Sequence, residues 1–322
     1  METEERILRD LVASIGQKVT RTEAADYVNA HSSLFQKSLE IIWSKKGTRE
    51  FKHGILNILD LMDPVLARMS VKLALQDSDP SVRLEALHVA YRGKIESLSQ
   101  CFVEVLEDCN RVFEERKWAL HILASVDPKR YGSLIRTVAR NCNEDVMLRV
   151  EALYAMTIDP DELDIGLLCA SLGDPDARIR RAGAWALCRI ASPDSVVSLL
   201  AALEDTDDEV RDWSIRALRA INSPRALQGL ADAMKRAAPA EQARLIRLVL
   251  ENRSEVLLRM IAQLLESTDA SVRRMAAWAL SVTPYPPAEG KLVSLLDDSD
   301  SQVRDYARLA LNRLTSNPDE MS

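Results

Sequence analysis

One string keeps returning along this chain, and it restricts the fold more than any other feature. "DSDPSVRLEALHVA", "NEDVMLRVEALYAM", "DPDARIRRAGAWAL", "DTDDEVRDWSIRAL", "STDASVRRMAAWAL" and "DSDSQVRDYARLAL" share a polar loop, an apolar residue, an arginine, then small and apolar residues at helical spacing. The arginines are Arg83, Arg116, Arg149, Arg180, Arg211, Arg244, Arg273 and Arg304, separated by 33, 33, 31, 31, 33, 29 and 31 residues. "GTREFKHGILNIL" around Arg49, 34 residues before Arg83, reads as a degenerate earlier copy. A fixed period of this length marks a stacked array. It holds two helices and two short loops. The second segments, such as "PVLARMSVKLAL" and "PRALQGLADAM", open with Pro64 and Pro224. Proline suits the first helical turn, where its missing N–H costs nothing. A lone helical hairpin cannot bury its apolar face, whereas a stack of them can.

The predicted fold is therefore all-α: an α-solenoid of about eight stacked hairpins. Composition agrees, because only ten glycines and 5% aromatic residues leave little for a turn-rich β architecture. Residues 1–62 depart from the repeat and read as an N-terminal helical cap or a degenerate repeat, in which Thr20 and Glu23 have capping-box spacing. The expected organisation is this cap, a solenoid over 63–316, and a disordered tail over 317–322.

The motif D-x-D-x-x-V-R-x-x-A-x-x-A-L resembles HEAT repeats, especially the short bacterial type of the phycobilisome-lyase subunits. The resemblance covers roughly residues 63–314. The copies at Arg116 and Arg244 lack the aspartate loop, so those junctions are expected to pack differently. In the others Asp79, Asp145, Asp176, Asp207, Asp269 and Asp300 lie four residues before the motif arginine. An aspartate there caps the helix by accepting from free backbone N–H groups. The resemblance implies a further role: an Asp–Arg ladder joining these aspartates to Arg83, Arg149, Arg180, Arg211, Arg273 and Arg304. A calcium loop is excluded, since His88 stands at position 12 after Asp77 where such a loop needs glutamate.

With the arginine as position 0, positions −1, +3, +6, +7 and +10 form the apolar stripe, and +1, +5 and +8 lie opposite. The resemblance places the second helix of each pair on the concave wall of the solenoid, so these positions are expected to line a groove. They supply Tyr154, Arg181, Trp185, Arg216, Arg219, Arg274 and Trp278, with His121 further up the +5 column. Exposed tryptophan, tyrosine and arginine are the residue types that anchor interfaces. Trp118 and Trp213, at +2, read as structural.

The catalytic vocabulary is thin. There is no Gly-rich phosphate loop, G-x-S-x-G or H-E-x-x-H. None of the four histidines is followed by glutamate, unlike the His-Glu pairs of the HEAT-type di-iron hydroxylases. The five cysteines are odd in number and never spaced as C-x-x-C, which fits free thiols in a reducing cytoplasm. No apolar run approaches the twenty residues of a membrane span, and the net charge of −7 opposes non-specific nucleic-acid binding. The expected function is a cytoplasmic, non-catalytic scaffold or adaptor, without cofactor or metal, whose groove holds an acidic or amphipathic segment of another protein. The resemblance also implies two alternatives: a lyase-like or chaperone subunit handling a tetrapyrrole or other cofactor, and a HEAT-like DNA-binding protein or glycosylase.

Overall fold

The computed structural model describes residues 20–43, 48–250 and 254–315. The stretches around Lys45 and Lys46 and over 317–322 lie outside them. The chain forms two compact units, residues 1–159 and 160–322. In the first, α1 (Arg21–Ala30) and α2 (Ser32–Trp43) precede α3 (Arg49–Leu56), α4 (Pro64–Ala74), α5 (Pro80–Gly93), α6 (Ser99–Glu107), α7 (Phe113–Val126), α8 (Pro128–Arg140) and α9 (Val146–Ala155). In the second follow α10 (Glu162–Ser171), α11 (Ala177–Ile190), α12 (Val196–Ala201), α13 (Asp208–Ile221), α14 (Pro224–Arg236), α15 (Pro239–Val249), α16 (Glu255–Leu264), α17 (Ala270–Val282), α18 (Glu289–Ser294) and α19 (Ser301–Thr315). Among the described residues there are no strands. Thr20 and Glu23 close the capping box on α1.

Each unit is a two-layer stack of hairpins. In the first, the motif-bearing helices α3, α5, α7 and α9 pack one on the next; in the second, α11, α13, α15, α17 and α19 do the same. These are termed the B helices, and the others, packed along their flank, the A helices. The stripe that holds them together is wider than the sequence implies. Besides −1, +3, +6 and +7, position +4 is sealed in six copies, where Leu87, Leu120, Leu153, Ala184, Ile215 and Ala277 are all buried, while Arg308 of the last copy is exposed. Position +10 leaves the stripe in most copies, with Gly93 exposed and Ile190 half-buried, although Thr283 stays buried. Small residues let the layers approach closely. A Cβ on Gly183 of α11 would fall 1.9 Å from Ser171 Oγ of α10.

The caps give an independent register. Asp79, Asp145, Asp176, Asp207, Asp269 and Asp300 each accept a backbone N–H two residues ahead, at 2.8–3.1 Å. Each therefore stands four residues before its motif position. Counting from the cap corrects two assignments. The cap of α15 is Ala238, whose carbonyl accepts the first helical bond from Gln242 at 2.8 Å. The motif position is thus Gln242, not Arg244. The cap of α3 is Thr48, so its motif position is Lys52, not Arg49. Burial agrees, since Phe51, Ile55, Leu56, Ile58 and Leu59 fill the stripe counted from Lys52. With both corrections, every separation from Arg149 onward is 31 residues, as is that from Lys52 to Arg83. The sequence reading erred because each of these copies offers an arginine close to, but not at, the motif position.

Candidate functional site

The loop geometry recurs from repeat to repeat and fixes the face beside it. In each D-x-D string the two aspartates divide the work. The second caps the helix. The first accepts the N–H of the second, as Asp77 does from Asp79 at 2.8 Å and Asp205 from Asp207 at 2.8 Å. The first aspartate is also the acid that meets the preceding repeat. Arg180 reaches Asp205 through Nε at 2.8 Å and Nη2 at 2.9 Å, and Arg273 reaches Asp298 at 2.7 and 3.0 Å. The same arginines turn Nη1 back to their own loop carbonyls, Arg180 to Asp174 O at 3.0 Å and Arg273 to Ser267 O at 2.8 Å. Each guanidinium thus staples two consecutive loops, using the planar fork that lysine lacks. In the first unit glutamate serves instead, with Arg83 on Glu115 and Arg116 on Glu144.

This geometry revises the ladder implied for the six capping aspartates. Lys52 meets Asp77 at 2.5 Å in the same way, so the acids that join repeats here are Asp77, Asp205, Asp298, Glu115 and Glu144. Two of the capping aspartates also reach the preceding repeat, Asp207 through Arg181 at 2.9 and 2.5 Å and Asp79 through Arg49 at 3.5 Å. The Arg181 guanidinium holds the Asp207 carboxyl down to about 2, helped by the N–H groups of α13 that it caps. Arg304 donates to Asp298 O at 2.6 Å and Arg149 to Ala139 O at 3.1 Å. Arg211 binds its own loop at Asp205 O and Asp208. At the next repeat Gln242 takes over, donating to Met234 O at 3.2 Å.

The +1, +5 and +8 positions lie opposite the stripe. In the second unit Trp185 on α11, Arg216 on α13 and Trp278 on α17 share the +5 column. The corrected register of α15 adds Arg247 in place of buried Val249, which is the +5 residue when counted from Arg244. Four consecutive B helices therefore present Trp, Arg, Arg and Trp. Both tryptophans are half-buried, and both arginines are exposed. Arg216 lies over the Trp213 ring at 5.0 Å, a cation–π contact that orients it across the face. Neither Arg216 nor Arg247 meets an acid among the described residues.

The flanking columns are held within the protein. Arg181 is engaged with Asp207, and Arg274 donates to Gln302 at 2.7 Å. Arg219 donates to the Leu248 carbonyl, and Asp212 pairs with Arg244. The Cys188 thiol, at +8 of α11, is pushed up by burial although Arg216, Arg219 and Arg189 pull it down. Of the predicted contact residues in this unit, Arg216 is exposed, the two tryptophans are half-buried, and Arg181, Arg219 and Arg274 are engaged beside them.

In the first unit the +5 column carries His88, His121 and Tyr154, each half-buried. Trp118 is wedged between the two histidines, with ring centroids 4.6 Å from His88 and 6.2 Å from His121. His121 meets Glu151 at 3.0 Å, a contact that lowers the glutamate's proton affinity. Among the described residues no three His, Cys, Asp or Glu side chains gather as a metal site. No described helix is long and apolar enough to cross a membrane.

Comparison with known proteins places the architecture. Residues 165–250 match the sequence model of the family described as HEAT repeats. No curated protein sequence matches the chain. Among solved structures, Kap95p with RanGDP aligns with 98% of this chain at 12% identity and a TM-score of 0.58. Importin beta crystallised in ammonium sulfate gives 98%, 13% and 0.54, and the Kap95:Nup1 complex 99%, 15% and 0.53. The alignments cover 50%, 51% and 49% of those chains, so this chain spans about half their length.

Proposed function

Since the chain is a HEAT-repeat protein built as an α-solenoid, we propose that it is a non-catalytic cytoplasmic scaffold or adaptor whose B-helix face in the second unit holds an acidic or amphipathic segment of another protein. The observation that carries this reading is the Trp185–Arg216–Arg247–Trp278 column. An exposed guanidinium with no acid beside it among the described residues invites a carboxylate, since charge-assisted hydrogen bonds are the stronger kind. A half-exposed indole offers large apolar area with little side-chain entropy to lose. Two such arginines between two such tryptophans have the composition of an interface centre. Two neighbours of the same fold lend support at the level of architecture, one a structure of Kap95p binding to RanGDP and the other the Kap95:Nup1 complex.

The test is affinity capture with the whole chain. Wild type retains one protein in stoichiometric amount. Arg216→Gln with Arg247→Gln loses it, while the thermal unfolding midpoint stays within about 2 °C because both side chains are exposed. Retention by that folded double variant overturns the assignment of the face. A chromophore that co-purifies and absorbs visible light would favour the lyase-like alternative. Retention on DNA that falls steeply with salt would favour the nucleic-acid alternative.

A further inference from the structure

Trp185, Arg216, Arg247 and Trp278 sit at one position of four consecutive packed B helices, so their spacing is the spacing of the helices. Packed helices lie about 8–10 Å apart. A segment that meets all four must therefore repeat its own contacts at that interval. A β-strand returns to the same face every two residues, about 6.6–6.8 Å, and falls out of step after one repeat. A polyproline II segment has three residues per turn and about 3.1 Å rise, so it returns every 9.3 Å or so. An α-helix returns after seven residues, about 10.5 Å.

The flanking columns decide between the last two. Beside the four residues lie the Arg181–Asp207 and Arg244–Asp212 ion pairs, all four of these side chains partly exposed. A helix about 10–12 Å across would lie over them, and stripping water from paired charges is costly. A polyproline segment is narrower and leaves them wet. Its preformed conformation also suits aromatic platforms, where proline rings pack.

Resting on the scaffold reading above, we infer that the occupant of this face is an extended polyproline-type peptide with two carboxylates three residues apart and an apolar residue, best proline, three residues outside each. The pattern is Pro-x-x-Glu-x-x-Glu-x-x-Pro. The glutamates meet Arg216 and Arg247, and the prolines pack on Trp185 and Trp278. Trp213 helps by holding the Arg216 guanidinium over its ring, 5.0 Å away.

The experiment is fluorescence anisotropy with the full chain and three labelled peptides of equal charge. One carries the three-residue pattern in a serine–proline background, one has the glutamates two residues apart, and one is a helix-forming peptide with the same groups at seven-residue spacing. The three-residue peptide binds at least about tenfold tighter than the other two, and Arg216→Gln with Arg247→Gln loses at least about tenfold. Because both arginines are exposed, that variant folds, and circular dichroism verifies it. Equal affinity for all three peptides, preference for the helical one, or no binding of any to wild type overturns the extended occupant. If the captured protein partner still depends on the two arginines, the scaffold reading survives that failure. If neither peptide nor partner binding depends on them, both readings fall together.

Discussion

The register of α15 decides whether Arg247 belongs to the binding face, and a serine placed at either of two nearby alanines tests it. Ala238 caps this helix with φ −65° and ψ 156°, the extended backbone that a capping residue needs, yet it offers no side-chain acceptor. Elsewhere the capping aspartate accepts the N–H two residues on at 2.8–3.1 Å. Ala238→Ser supplies that acceptor to α15 without adding charge. The gain from alanine to a good cap is about 1 kcal/mol. For a cooperative unit of this size it corresponds to about 2–4 °C in Tm. Counting from Arg244 would instead make Ala240 the cap. In the structure Ala240 is the second helical residue, so Ala240→Ser only exchanges a good helix former for a poorer one, at a cost of about 0.5 kcal/mol. Both positions are exposed, so packing does not confound the pair. Urea unfolding followed by circular dichroism gives the two differences at constant m-value. Stabilisation by Ala240→Ser with none from Ala238→Ser would refute the corrected register and remove Arg247 from the column.

Three further outcomes follow from the stack. Lys52 and Asp77 form an ion pair at 2.5 Å with side chains 7% and 1% exposed, so Lys52→Ala strands a buried carboxylate and costs about 3–5 kcal/mol in urea unfolding, whereas Lys52→Met with Asp77→Asn recovers much of the loss. Gly183→Ala brings a Cβ to 1.9 Å from Ser171 Oγ and destabilises by about 1–3 kcal/mol; adding Ser171→Ala removes that oxygen and restores part of it, and a double variant no better than the single would contradict the close approach of α10 and α11. Asp207 titrates near 2, below the 3.8 of a free aspartate, so its stabilisation is complete above about pH 4 and is lost as pH falls toward 2. With Arg181 39% exposed, screening leaves this contribution at about 1 kcal/mol; Arg181→Gln flattens that part of the stability–pH curve, and an unchanged slope would dismiss the pair.

Much of the architecture was legible because helical stacking writes itself into sequence at two periods at once. The 3.6-residue period marked Ile179, Gly183, Ala186 and Leu187 as one face, and the repeat of about 31 residues marked the stack. The capping aspartates were legible for a local reason, since a cap depends only on residues within one turn. The ladder was not. Which aspartate of a D-x-D string meets the preceding arginine depends on how two loops sit in space, and spacing treats both alike. The register of α3 and α15 was obscured by identity. Arg49 and Arg244 drew the alignment to themselves, although the stripe at Phe51, Ile55 and Leu56 and the one at Leu245, Ile246 and Val249 already gave the other phase. Reading the buried face first would have found Arg247. The pairing of Arg181 with Asp207 and of Arg219 with the Leu248 carbonyl had no sequence signal, because both are contacts between repeats.

Fluorine NMR of the fluorotryptophan-labelled chain, titrated with the captured protein partner, reads the proposed face most directly. The five tryptophans are Trp43, Trp118, Trp185, Trp213 and Trp278, so each resonance can be assigned by single substitution. Binding is predicted to move Trp185 and Trp278, and Trp213 beneath Arg216, while buried Trp43 stays where it was. A partner that binds with Trp185 and Trp278 unmoved would contradict the account.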